Sequence, residues 1–321
     1  MKNRAIKIGF FGDGPWAHES FNRLITYEFV QISFVTVRWL NRDQTLMNLA
    51  DKFGVPVELT ENVNSDDFFD RIKKYGVDLF VAMSFDQIFR TRMIDYPRLK
   101  TINCHAGKLP FYRGRNILNW ALINDEKEFG ITVHYINEGI DTGDIILQDI
   151  YPITDEDDYG TLLRCAYSGC ADALCKSIRK IYEGSVERIK QDSIDPIGSY
   201  CGMRQAGDEL IDWNQSSRRI FNFVRAIAKP GPMATSILND KRIRINKVRE
   251  VKGVREYIGI PGQIIGKTDE GYYVKTKDTF VEMIEFEYDG RIRVGSRLGG
   301  VLNRKNILSH NTFCTCNEEA A

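Results

Sequence analysis

The feature that narrows the fold most is the alternation of short apolar runs with amphipathic helical patterns along the first half of the chain. Residues 6–11 (IKIGFF) form an apolar run that ends in Gly12-Asp13-Gly14, after which Phe21, Leu24 and Ile25 recur on one helical face. The pattern continues with a β-rich run from Val30 to Val37, a helix over 43–53, a short strand from Val55 to Leu59 and a helix over 66–75. Val77 to Ala82 then reads as a buried parallel strand. Strands alternating with helices build a parallel sheet, and ligands of such sheets gather at the C-terminal ends of the strands.

Another short strand closes at Asn103, residues 116–124 look helical, and 130–135 and 144–150 look like strands. A single long helix spans 158–184 and stops at Gly184. The texture changes after that. Residues 190–212 are polar and rich in turn formers, and a helix over 218–228 is halted by Lys229-Pro230-Gly231-Pro232. Short β-like runs punctuated by Gly and Asp follow, from Ala234 to Val294. The predicted fold class is α/β: a Rossmann-like, mostly parallel sheet catalytic domain over 1–200, then a connecting segment with a helix over 201–233. A small C-terminal antiparallel β domain covers 234–302, and a tail covers 303–321. Dimer contact is one hypothesis for the β domain.

Charge and cysteine content restrict the partners. Lysine plus arginine equals aspartate plus glutamate, at 44 each in 321 residues, so the chain as a whole offers no field for a polyanion. The expectation is no nucleic-acid partner. The N-terminal apolar run breaks too soon for a secretory signal, and no stretch approaches a membrane span, so a cytoplasmic chain with no membrane partner is expected. The seven cysteines are odd in number and lack framework spacing, and Cys314-x-Cys316 has no matching pair. Reduced thiols and no metal are expected. Gly12-Asp13-Gly14 is followed by Ala17 where a dinucleotide fingerprint has its third glycine, which argues against a nicotinamide cofactor.

Chemistry concentrates in residues 101–148. Asn103 and His105 flank Cys104 directly after a strand, and alternation points both side chains the same way. Asp141 lies in a glycine-bounded loop, Gly139 to Gly143. These residue types suit acyl transfer to an amine. An amide donor at Asn103 can stabilise negative charge developing on an acyl oxygen. His105 can take a proton from the attacking nitrogen or orient it, and Asp141 can hold the imidazole or carry protons. The division of work between these two stays open. His134, alternating with Thr132, reads as a packed or surface histidine, and His18 reads as structural. Trp16 fits stacking or core packing equally, and Arg113 and Arg115 fit phosphate binding or backbone pairing equally.

Taken in order, Asn103-Cys104-His105, Leu109-Pro110, Tyr112-Arg113-Gly114 and Asp141-Thr142-Gly143-Asp144 resemble the folate-dependent formyltransferase family. Residues 211–234, with Trp213, Ile220, Asn222, Arg225, Pro230 and Pro232, resemble that family's passage into its C-terminal β domain. The resemblance implies N10-formyltetrahydrofolate as cosubstrate and direct formyl transfer, with Asn103, His105 and Asp141 catalytic. It also implies a pterin pocket formed by Met83, Ser84, Phe85 and Ile88 with Gly139, Ile140 and Asp141. The run from Gly107 to Trp120 looks most like the sugar N-formyltransferase branch. That implies a nucleotide-linked amino sugar as acceptor, first dTDP-4-amino-4,6-dideoxyglucose, met by Gly12, Trp16, Lys108, Arg113 and Arg115. Methionyl-tRNA formyltransferase is the alternative. It is disfavoured here because Gly12 leads straight into Pro15-Trp16 with no basic insertion.

Overall fold

The structure is a computed structural model and describes residues 4–299. The chain divides into two compact units. The first holds the chain up to Ala121 with Glu126–Asp157 and Thr161–Met203, and the second holds Leu122–Asp125, Asp158–Gly160 and the chain from Arg204.

The first unit opens β1 (Ile6–Gly12), α1 (Gly14–Leu24), β2 (Val30–Thr36), α2 (Gln44–Lys52), α3 (Asp66–Lys73), β3 (Leu79–Met83), α4 (Thr91–Asp95) and β4 (Thr101–His105). It continues with β5 (Arg113–Gly114), α5 (Ile117–Ile123), β6 (Glu128–Tyr135), β7 (Ile145–Pro152), α6 (Tyr159–Glu183), a 3₁₀ turn (Gln191–Ser193) and β8 (Tyr200–Cys201). The helices start where their sequence says they should. The Asp43 and Ser65 side chains accept from the backbone N–H of Leu46 and Phe68, and Asp66 and Asp67 follow in the first turn of α3, which closes on Arg71 and Lys73.

The sheet order is β2-β1-β3-β4-β6-β7. The first four strands are parallel, whereas β6 and β7 run antiparallel to their neighbours. Every residue of β3 is buried, as expected of a strand covered on both faces. Phe11 sits at the centre of an aromatic cluster, edge-on to Phe34, Phe80 and Phe89 at centroid distances of 5.7, 5.2 and 4.9 Å. Each such ring buried from water contributes roughly 1.5–3 kcal/mol. Asp78, just before β3, ties the N-terminal ends of the interior strands β1 and β3 together: its carboxylate accepts from Lys7 N–H (2.9 Å), Arg4 (2.8 Å) and Arg98 (2.7 Å).

Two expected strands are absent. Val55–Leu59 makes only an isolated bridge, Val57 to Val35, and 291–293 is irregular chain leading into a turn at 294–295. Strand β4 sets up the site. Cys104 faces α6, its thiol 3.6 Å from the Cys170 carbonyl, which leaves Asn103 and His105 on the opposite sheet face.

The second unit carries α7 (Ser217–Ala226) and β9 (Ala234–Leu238), β10 (Lys241–Glu250), β11 (Ile264–Lys267), β12 (Tyr272–Lys275) and β13 (Phe280–Glu287). These strands form an antiparallel sheet in the order β11-β12-β13-β10-β9. Helix α7, capped by Ser216, packs on β10 and β13 with Ile220, Val224 and Ala226 buried. Most of the segment expected as a connection, from Arg204 on, is therefore part of this unit, because its apolar helix face needs the sheet to cover it. The expected tail, with Cys314 and Cys316, lies outside the described residues.

Candidate active site

Strands β4 and β6 bring the polar groups together. In their antiparallel register Asn103 pairs with His134 and His105 with Thr132, so all four side chains share one face. The loop between β6 and β7 then folds back and delivers Asp141. The three residues expected to be catalytic converge, joined by His134. His105 Nδ1 is 3.6 Å from Asp141 Oδ2, and His134 Nε2 is 3.4 Å from Asp141 Oδ1 and 3.3 Å from Asn103 Nδ2.

The partners on the far side of each ring fix the proton positions. A carbonyl oxygen only accepts, so a ring nitrogen bonded to one carries the hydrogen. His105 Nε2 donates to the Tyr112 carbonyl at 2.7 Å, leaving Nδ1 to face Asp141 as the exchangeable position. His134 Nδ1 donates to the Tyr135 carbonyl at 2.8 Å. In neutral His134, Nε2 accepts from the Asn103 amide; in protonated His134 it donates to Asp141.

Asp141 adopts a left-handed backbone, φ 53°, which aspartate tolerates better than most residues. Burial pushes its carboxyl up. The His105 charge, the His134 hydrogen bond and the Gly114 N–H (2.9 Å) together outweigh burial and hold it well below the usual carboxylate range. Asp141 is therefore a carboxylate at neutral pH, poised against two imidazoles.

The loops are built tightly around these groups. A Cβ on Gly107 would lie 2.5 Å from His105 Nε2 and 2.7 Å from the Tyr112 carbonyl oxygen, so only glycine leaves room for the ring. Thr132 donates to the Gly107 carbonyl at 2.6 Å, and the Gln148 amide donates to the Leu109 carbonyl (2.9 Å) and to Thr132 (2.8 Å). A side chain on Gly143 would run into the Tyr135 carbonyl.

The residues expected to meet a diphosphate do not form one cluster. Arg113 is buried, its guanidinium bonded to Gln191, to the Ile197 carbonyl and to the Tyr200 hydroxyl. Lys108 pairs with Glu128 at 2.5 Å, and exposed Arg115 lies 3.5 Å from the Met203 sulfur. Gly12 is buried at the end of β1 beside Met83, and Trp16 packs edge-on against Tyr167 of α6. His18 bonds the Asp43 carboxylate at 2.6 Å.

The loop after β3 begins with Ser84 in the left-handed region, φ 55°, its carbonyl accepting from Arg38 at 2.7 Å. Met83 is buried and Phe85 stacks on Phe89, so these two pack inward, while Ile88 and Ile140 are exposed. Nearby, Ile94, Ile136, Asn137 and Glu138 line a cleft of about 330 Å³ that also takes in Tyr135 and Arg188. Residues 137 and 138 lead directly into the Gly139–Asp141 loop. Charged side chains, Asp95 and Lys100 among them, also line this cleft, and none of the residues expected to hold a pterin does.

His134 is packed, one of the two places the sequence reading allows it, but that reading does not foresee its contacts with Asn103 and Asp141. Its signal was present: strand alternation puts it with Thr132, and antiparallel pairing with β4 puts it opposite Asn103.

Residues 50–167 match the family described as formyl transferase, and residues 204–297 match its C-terminal domain. The methionyl-tRNA formyltransferase of Halalkalibacterium halodurans is 32% identical over 300 residues, covering 91% of this chain and 93% of its own. That of Geotalea daltonii is 32% identical over 305 residues, 92% of this chain and 95% of its own. Among solved structures, an N-formyltransferase from Helicobacter canadensis, in complex with folinic acid and dTDP-3-aminofucose, superposes with a TM-score of 0.67. It is 23% identical and covers 88% of this chain and all of its own.

Proposed function

The chain belongs to the formyl transferase family, and from that premise we propose that it moves a formyl group from N10-formyltetrahydrofolate to the amino group of methionyl-tRNA. The observation that carries the acceptor is the run of methionyl-tRNA formyltransferases about 32% identical to this chain across nine-tenths of both partners.

Two expectations are corrected by those relatives. The nucleotide-linked amino sugar, with dTDP-4-amino-4,6-dideoxyglucose as first choice, loses its basis, since a sugar-modifying neighbour appears only as a fold likeness at 23% identity. The expectation of no nucleic-acid partner falls with it. The physical reasons are local. Much of the Gly107–Trp120 run is scaffold: its Gly107 and Tyr112 cradle His105 and its Arg113 is buried. That run therefore reports on the shared catalytic frame and not on the acceptor. A net charge of zero is likewise an average that conceals local rows. On the outward face of β10, Arg242, Arg244, Lys247 and Arg249 alternate with buried Ile243, Ile245 and Val248. Glu287 and Glu282 of β13 neutralise Arg244 and Arg249, while Arg242 and Lys247 carry no ion pair among the described residues. Such cations suit phosphate contacts.

The chemistry follows from the side chains. The amine attacks the formyl carbon, negative charge grows on the formyl oxygen, and positive charge grows on nitrogen. Asn103 bonds His134 with one amide hydrogen and has a second to offer that oxygen. His105, facing the Asp141 carboxylate, takes up the proton shed by the attacking nitrogen; the formyl carbon–N10 bond then breaks, and tetrahydrofolate leaves with that proton returned to N10. Because the amine must be unprotonated to attack, the rate falls as pH drops through the range in which the methionyl amine gains its proton.

The test is an acceptor panel. With N10-formyltetrahydrofolate supplied, charged initiator tRNA is expected to be formylated and amino-sugar nucleotides to be inert. Formylated sugar with untouched methionyl-tRNA would overturn the proposal.

A further inference from the structure

Gln191 is almost fully buried in the 3₁₀ turn after the long helix, yet it makes four polar contacts. Its amide nitrogen donates both hydrogens into the loop that carries the carboxylate, to the Asp141 carbonyl at 2.7 Å and the Gly143 carbonyl at 2.8 Å. Its amide oxygen accepts two bonds from Arg113, from Nε at 3.0 Å and Nη2 at 2.8 Å. The third arm of that guanidinium reaches the Ile197 carbonyl and the Tyr200 hydroxyl, each at 3.2 Å, and the guanidinium lies over the Tyr200 ring. Arg113 is followed by Gly114, whose N–H donates to the Asp141 carboxylate.

Asp141 is thus gripped from two ends by groups that meet at Arg113. Its carboxylate is held by Gly114, and its backbone is held by Gln191 in a left-handed conformation that ordinary residues adopt only when surroundings impose it. We propose that Gln191 is a positioning residue that sets the Asp141 carboxylate against His105 and His134, with Arg113 as its anchor. This rests on the reading of Asp141 as the catalytic carboxylate. Gln191 reaches no reacting atom; it acts through the loop. Both hydrogens of one amide are used on one side and both lone pairs of its oxygen on the other, so no other side chain of equal length reproduces the pattern.

The discriminating variant is Gln191→Glu. It keeps length and shape and retains an acceptor for Arg113, but it turns the two donors facing the Asp141 and Gly143 carbonyls into an acceptor. Gln191→Met, neutral and of equal length, answers the same question should the glutamate variant not fold. Two readouts apply to the full chain. In formylation of methionyl-tRNA, kcat is expected to fall at least tenfold with KM for the formyl donor within about twofold, and no further loss is expected in an Asp141→Asn background. Independently of any acceptor, ¹³C-carboxyl NMR is expected to find Asp141 titrating at higher pH in the variant than in the parent, because the carboxylate drifts from its partners. A variant with parental kcat and an unmoved Asp141 titration overturns the positioning role while leaving the formyl-transfer reading intact. Losses that multiply with Asp141→Asn also overturn it. An Asp141→Asn chain with full activity sinks the catalytic reading and the proposal with it.

Discussion

Asn103 and His134 face each other as a direct cross-strand pair, and their side-chain nitrogens are 3.3 Å apart. The amide is aimed by the imidazole, and the imidazole is aimed by the Tyr135 carbonyl behind it. Replacing His134 with Phe leaves the Asn103 amide without its acceptor and Asp141 without one partner. Asn103 is half-buried, so losing this hydrogen bond costs about 0.5–1.5 kcal/mol, or roughly 2- to 13-fold in rate if the loss falls on the transition state. Steady-state kinetics on His134→Phe are expected to find that loss in kcat, with KM for the formyl donor little changed. A kinetically silent substitution would return His134 to plain packing.

Asn103 itself has a simpler prediction. Removing an oxyanion donor lowers kcat by about 10²–10³ in comparable sites. Asn103→Ala is expected to show this loss while binding the formyl donor nearly as well as the parent. Equal losses in binding and turnover would show that the amide holds ground state and transition state alike.

Gly107→Ala tests the cradle around His105. The added methyl would sit within 2.7 Å of both the ring and the Tyr112 carbonyl, so the imidazole must move. A displacement of this order can cost about 10²-fold. Activity is expected to fall at least that far while circular dichroism and the melting curve stay close to the parent's. Full activity would mean that the loop yields and the ring does not.

Acid sensitivity should trace to Asp78. Burial pushes its carboxyl up, but the Lys7 N–H, Arg98 and Arg4 outweigh this and hold it below the usual range. A carboxyl whose pKa is depressed on folding stabilises the native state fully above its unfolded value, about 3.9, and loses that contribution as pH falls further. Asp78→Ala frees two arginines that are mostly exposed and can turn to water, so the chief cost is the stranded Lys7 N–H, about 1–3 kcal/mol. Thermal melts of parent and variant should differ at pH 7, and the gap should narrow toward pH 3 without closing, because a protonated carboxyl still accepts from the Lys7 N–H. A gap of equal size at both pH values would assign the effect to packing.

Much of this architecture was legible in the chain. The strand-helix alternation reads directly because burial on both faces demands continuous apolar strands, and Asn103 and His105 share a face by simple alternation. Other features depend on distant partners. Phe85 reads the same in sequence whether it lines a slot or, as here, stacks inside on Phe89. Arg113 presents the same five donors to a phosphate as to Gln191, and only burial distinguishes the two roles. Gln191 is fifty residues beyond Asp141 and gives no local sign of its target. The acceptor was misread because the glycine-rich run after His105 encodes the frame for the imidazole.

The short pairing of β5 with β8 sets a limit on how little of this protein can work. Arg113 and Gly114 are zipped to Tyr200 and Cys201, and the turn bearing Gln191 lies just upstream. A fragment cut after the long helix at Glu183 would retain Asn103, His105, His134 and Asp141 and yet lack what braces the last of them. On the reading of Asp141 as the catalytic carboxylate, a working fragment therefore needs the chain at least through Cys201.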